Sequence, residues 1–226
     1  MRRFAIVGHR AMSQGKLPLN DMAGGAGRMD VLVRALMAGL LTSHGIRHDT
    51  EVILHLMGGP GRSRRIKFVG SLLKGVHAEE RAVAGQIAKV LKLPTPARGH
   101  WIERSSGIFD SGGDISHTLS EWEDVVRVCL DASAPRLWNP DESIPTESKP
   151  LSSYEGEHGN FTISGLDIGF VLSDDKPLPD EVQTENMSLR SLGDTWLQGH
   201  MAIAVCHFLL DLGVSLNLTQ SESQAG

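Results

Sequence analysis

Residues 20–50, NDMAGGAGRMDVLVRALMAGLLTSHGIRHDT, decide how this chain is read. The apolar residues Leu32, Val33, Leu36, Met37, Leu40 and Leu41 recur at the spacing of one helix face. The spacing predicts a helix over 29–44, with His44 in its last turn and Gly45 just past its end. Asp30 and Arg34 stand i, i+4, so both side chains share one side of that helix. A bare surface pair of this kind contributes about a few tenths of a kcal/mol. The loop GGAG at 24–27 precedes the pair, and glycines let backbone approach a ligand closely. Loop and pair together read as a candidate site.

Working outward, residues 4–7 form a short continuous apolar run, FAIV, that predicts a buried first strand. Residues 51–57 and 66–69 predict a second and a third. The turn between them holds Arg62, Arg64 and Arg65, with Lys67 close behind, in the most basic segment of the chain. Such a segment is either a solvated turn or a phosphate-contacting loop. Residues 79–92 predict a helix whose leading glutamates suit its dipole. Residues 99–108 read as irregular with a possible short strand, 115–131 as a helix, and 136–138 as a strand candidate. The Pro, Ser, Glu and Gly content of 139–160 predicts an extended surface loop. An apolar stretch over 161–172 ends in FVLSDD, turn-rich residues follow over 188–199, and a very apolar helix is expected over 200–212. Residues 217–226 read as a disordered tail. Strands alternating with helices indicate an α/β fold with a mostly parallel sheet, in a single domain over 1–216.

A net charge of −5 argues against a generally basic coat for nucleic acid, while leaving room for a local basic patch. Cys129 and Cys206 fall in apolar helical patterns and read as reduced, buried thiols of an intracellular protein. No apolar run reaches 18 residues, so a cytoplasmic location is expected, with no membrane partner and no DNA. Neither nucleotide fingerprint nor acyl-transfer nucleophile motif occurs. His9, His44, His48 and His55 lack metal-ligand spacing, so no metal site is expected. His200 and His207 bracket the last helix and read as packing or interface residues.

The series GHR at 8–10, LND at 19–21, GAGRMDVL at 25–32, SHGIR at 43–47 and EER at 79–81, with FVLSDD at 170–175 and SLGDTWLQGH at 191–200, resembles the TrmY family. These are tRNA pseudouridine N1-methyltransferases of the SPOUT class. The resemblance covers most of the chain and implies an α/β trefoil knot at the C-terminus, S-adenosyl-L-methionine as cofactor, tRNA as substrate and a homodimer. It places Leu137 on the first pocket loop, Ser173 on the second, and Ser191, Leu192, Gly193, Asp194, Thr195 and Trp196 on the third. Met201, Ala202 and Ile203 are expected to close the adenine side. Ser173 stands where the family usually has glycine, which would narrow the pocket or demand a different φ. With the long 139–160 loop, this marks a bacterial-type or divergent homologue. Action on another RNA nucleoside, and a non-catalytic cofactor-binding role, stay open beside the first reading.

The resemblance casts Asp30 as the group that orients or accepts the N1 proton, with Arg34 and Arg47 holding phosphate or uracil oxygens. A free aspartate near pKa 3.9 is a poor base for an imide-like N–H, which favours orientation. Arg10, Arg28, Arg62, Arg64, Arg65 and Lys67 are the expected RNA contacts, around a base that leaves its stack to reach the methyl donor.

Overall fold

The computed structural model describes residues 1–141, 167–174, 176–178 and 187–218. Its centre is an eight-stranded sheet. In chain order the strands are β1 (Arg2–Met12), β4 (Thr50–Gly58), β5 (Arg64–Val69), β6 (Ile102–Ser105), β7 (Ile108–Gly112), β8 (Val126–Leu130), β9 (Ile168–Ser173) and β10 (Ser188–Arg190). A two-residue hairpin, β2 (Leu41–Thr42) with β3 (Gly45–Ile46), lies outside the sheet. The helices among the described residues are α1 (Met29–Leu40), α2 (Glu80–Leu91), α3 (Ile115–Glu121) and α4 (Gly199–Leu212).

Across the sheet the order is β10-β8-β9-β1-β4-β5-β7-β6. The five strands from β10 to β4 run parallel, and β5, β7 and β6 add an antiparallel extension. β1 is central, with Val7 held between Ser173 of β9 and His55 of β4. Its near-continuous apolar run is what a strand covered on both faces requires. One sheet face packs Phe4, Ile6, Val52, Leu54 and Phe170 against α1, α2 and α4. The other packs Ala5, Val7, Ile53 and Val171 against Ile115, Leu119 and Trp122 of the α3 region.

Three boundaries differ from the sequence expectation. α1 stops at Leu40, where Leu41 turns to extended backbone and the peptide N–H of Arg47 closes back on the Leu40 carbonyl. Gly45 therefore belongs to a hairpin and does not cap the helix. The expected helix over 115–131 ends at Glu121, and Val126–Leu130 is strand β8. Its apolar residues suit either period, but VVRVC is rich in β-branched residues and binds the sheet edge on both sides. Cys129 is buried on a strand, whereas Cys206 is buried on α4 as expected. The tail reading gives way at its start. The Asn217 N–H donates to the Leu137 carbonyl at 2.6 Å, and Ser188 donates to the Leu218 carbonyl at 3.0 Å. Residues 219–226 and most of the 139–160 loop lie outside the described residues.

Candidate active site

Parallel strands deliver their following loops to a common edge, and open α/β sheets bind ligands outside those carboxyl ends. A cavity of about 680 Å³ lies there. It is walled by residues 129–132 at the end of β8, 172–174 and 176–178 at the end of β9, and 192–193 and 195–198 after β10, with Gly199, His200 and Ala202 on α4. Arg28, Val31 and Arg34 complete it from the start of α1. The early glycine-loop helix and the late loops therefore face one another across a single space, of a size usual for small-molecule cofactors.

The arginines are held from behind by Asp30. Arg28 Nε donates to Asp30 Oδ1 at 3.2 Å, Arg34 Nη2 donates to Oδ2, and Arg34 Nε reaches the Asp30 carbonyl. Arg28 has φ 68°, a left-handed conformation that among the described residues no other non-glycine shares. Gly27 beside it has φ 65°, and a Cβ there would lie 1.8 Å from the Arg10 carbonyl oxygen. Gly24 and Gly25 donate their N–H groups to the Asp21 carboxylate. The loop glycines thus serve contacts within the chain, between the loop and β1.

Of the residues expected to hold the cofactor, Ser173, Leu192, Gly193, Thr195, Trp196 and Ala202 line the cavity. Gly193 has φ 137°, so this turn of the wall requires glycine. Ser173 does not adopt a left-handed backbone, and its hydroxyl donates to the Lys176 carbonyl within its own turn. The serine is accommodated by its loop without a special φ. Five expected residues lie off the cavity wall. Leu137 is buried, and its N–H donates to the Ser191 carbonyl at 2.8 Å, so the two form the root of the loop. Asp194 points outward, 3.4 Å from Arg136, and Met201 lies on the exposed side of α4. Ile203 is in the core.

Arg47 is parted from Asp30 and Arg34. It follows the far end of α1, ten residues and about 15 Å along the helix from Asp30. There it pairs with Asp211, at 2.7 Å, which also binds the buried Arg2. Within one chain it cannot share their site. Arg64 and Arg65 are also corrected. Both are fully buried, Arg64 against Asp110 and Arg65 against Glu121, so neither reaches a phosphate. Arg62 and Arg10 are exposed, and Lys67 lies over the rings of Trp101 and Phe109 at 4.5 and 5.5 Å.

Sequence reasoning missed Asp174 and its partner. The Asp174 carboxylate, 1% exposed, accepts the His9 N–H at 2.9 Å and faces His9 Nδ1 at 2.8 Å, tying the second loop to the end of β1. It also missed residues 129–132, because a helix over 115–131 hides a strand end. Burial first, and Asp131 second, push the Cys129 thiol there up to about 12.

A family model described as "Putative SAM-dependent RNA methyltransferase" matches residues 1–131. The chain belongs to this family. A tRNA (pseudouridine(54)-N(1))-methyltransferase of Methanospirillum hungatei is 33% identical over 168 residues, 74% of this chain and 82% of its own length. Its counterpart from Methanocorpusculum labreanum is 44% identical over 172 residues, 74% and 83% of the two chains. That of Methanococcus maripaludis is 29% identical over 93% of this chain and 98% of its own. Archaeoglobus fulgidus Nep1, solved with S-adenosylhomocysteine, shares the fold. Its TM-score is 0.56 at 11% identity, over 92% of this chain and 96% of its own. The cavity wall is apolar at Leu130, Leu172, Leu178 and Leu192 and carries the carboxylates of Asp131 and Asp174. That mixture fits a nucleoside carrying a charged tail.

Proposed function

We propose that this methyltransferase transfers a methyl group from S-adenosylmethionine to N1 of pseudouridine in tRNA, at position 54 as in its named relatives. The observation that carries the reading is the shared cavity, where Arg28 and Arg34 of α1 face the three late loops. When bound, S-adenosylmethionine supplies the methyl as an electrophilic sulfonium substituent, so the protein's task is mainly alignment. Residues 129–132, 172–174, 176–178, 192–193 and 195–199, with Ala202, hold the donor, and Leu137, Ser191 and Asp194 shape the third loop from outside. Asp30 acts through Arg28 and Arg34, fixing two guanidiniums for phosphate or uracil oxygens. Arg10, Arg62 and Lys67 extend the basic track on which tRNA lies, and the target base flips into the cavity.

The chain is proposed to be one cytoplasmic SPOUT domain over 1–216 with a C-terminal trefoil knot. The return of Asn217 to Leu137, itself bonded to Ser191, supports that threading. Among the described residues, no helix is long and apolar enough to cross a membrane. A homodimer is proposed through α4, whose Met201 and Phe208 stand 48% and 59% exposed on one side, with Val205 between them.

Calorimetry with S-adenosylmethionine, followed by nucleoside mass spectrometry of a treated tRNA carrying pseudouridine at position 54, tests the reading. Stoichiometric binding and new N1-methylpseudouridine are expected. Binding with a different methylated nucleoside, or with none, refutes the assigned substrate or the assigned activity.

A further inference from the structure

Methylation at N1 releases a proton as well as consuming a methyl group. The N1–C bond forms as the S–C bond breaks, and sulfur keeps the bonding pair and becomes a neutral thioether. The N1–H proton needs an acceptor, or the product leaves as a cation.

Most polar groups at the cavity are already committed. Asp30 gives both carboxylate oxygens to Arg28 and Arg34 and stands behind them, off the cavity wall. Asp174 is buried, and its two oxygens meet the N–H and ring nitrogen of His9. Asp131 Oδ1 accepts from both the N–H and hydroxyl of Ser133, at 2.7 and 2.6 Å. Aspartates in general are weaker bases than imidazole by more than two pKa units. The Cys129 thiol, pushed up to about 12, keeps its proton near neutrality. The Ser173 hydroxyl is donated to the Lys176 carbonyl. Arg28, Arg34 and Lys176 are cations.

His200 is left. It lines the cavity from the first turn of α4, is half-buried, and has no hydrogen bond or ion pair among the described residues. The charged groups sharing the cavity with it are Arg28 and Arg34 on α1, Asp131 after β8, and Asp174 and Lys176 after β9. From the sequence alone His200 reads as a packing residue. Packing would hold its ring against neighbours, whereas here it faces the space where the base must enter.

We propose that His200 is the general base, accepting the N1 proton of the target pseudouridine and passing it to solvent. The assignment rests on the methyl-transfer reading above. It is tested with the full chain, S-adenosylmethionine and a tRNA carrying pseudouridine at position 54. His200→Gln lowers the single-turnover rate constant at least 100-fold, in the range general base catalysis contributes, while S-adenosylmethionine Kd stays within about twofold. The wild-type rate rises with pH as the proton acceptor is freed of its own proton, and that limb is absent from H200Q. Exogenous imidazole partly restores His200→Ala. Turnover of H200Q within about threefold of wild type, a persisting pH limb, or a loss confined to cofactor Kd overturns the assignment. A wild-type chain that binds S-adenosylmethionine but methylates no pseudouridine refutes the underlying reading, and the base with it.

Discussion

Replacing Arg64 with methionine separates its two readings, as a phosphate contact or as a structural cation. The guanidinium is fully buried, and each of its five N–H groups has an acceptor. Nε and Nη2 grip Asp110 at 2.7 and 2.6 Å, Nη2 also meets the Val90 carbonyl, and Nη1 meets those of Ser13 and Leu93. These ties join the end of β1, the end of α2 and the antiparallel extension. Arg64→Met leaves the buried Asp110 with Arg104 alone and takes a guanidinium N–H from each of three carbonyls. Breaking a buried pair from one side costs about 3–5 kcal/mol. Against a net stability of roughly 5–15 kcal/mol, that is a large share. The expected fall in Tm is roughly 6–20 °C for a chain of this size. Thermal unfolding followed by tryptophan fluorescence measures the fall, and urea unfolding measures the free energy. The double variant Arg64→Met/Asp110→Leu should recover part of the loss, because it leaves no orphaned charge. A single variant within about 1 kcal/mol of wild type, or one that loses tRNA affinity at unchanged stability, refutes the buried-cation account.

Asp30→Asn loosens Arg28 and Arg34 together, and methyl transfer should fall about 10- to 100-fold, roughly 1.4–2.7 kcal/mol in the barrier, with S-adenosylmethionine Kd unchanged by calorimetry. Near-normal turnover would remove Asp30 from the site. Arg28→Gly relieves the left-handed backbone and should stabilise the fold by about 1 kcal/mol in urea while reducing transfer; a less stable and fully active variant contradicts this. Arg62→Glu and Lys67→Glu should each weaken tRNA binding and flatten the salt dependence by about one phosphate contact, and unchanged slopes count against those contacts. Burial depresses His55 to about 3 and His207 to about 4, with nearby arginines adding to both shifts. The unfolded chain protonates these rings first, so their stability contribution is complete above about pH 6.5 and is lost as pH falls towards the folded values. The slope is about 1.4 kcal/mol per pH unit for each ring, and His55→Leu should remove roughly half of it between pH 6 and 5. A slope the variant leaves intact would mean that His55 is not buried neutral.

How far the sequence could be read depended on whether the deciding interaction was local. The β1 and β4 runs, α2 with its Glu79 cap and the last helix follow from period, capping and continuous apolarity, all short-range signals. Glu79 accepts from the Arg81 and Ala82 N–H groups, a bond its spacing alone anticipates. β8 was not legible, because Leu119, Trp122, Val125, Val126 and Cys129 satisfy a helical period as well as an extended one. Only pairing with β9 and β10, about 40 to 60 residues later in the chain, selects the strand. The arginines failed for a related reason. Successive residues on β5 point to opposite faces, so Arg64 and Arg65 enter two different cores. Full burial of arginine is rare without partners, and Asp110 and Glu121 lie far along the chain. The late loops were legible as turn-rich stretches after apolar runs, but nothing in their composition marks a cavity wall.

The GAGR turn joins these two kinds of information. Its last glycine is dictated by backbone, since any side chain at Gly27 would collide with the Arg10 carbonyl. Arg28 then inherits a left-handed conformation that costs about 1–2 kcal/mol for a side-chain-bearing residue. Glycine would meet that backbone demand without strain. What glycine lacks is a cation at the mouth of the cavity, held by Asp30 and opposite the late loops. A strained residue persists where its surroundings over-determine it. Here β1 fixes the turn from one side, and the Asp30 carboxylate fixes the side chain from the other. The strain at Arg28 is therefore evidence of function that owes nothing to sequence resemblance, and it points to the same cavity.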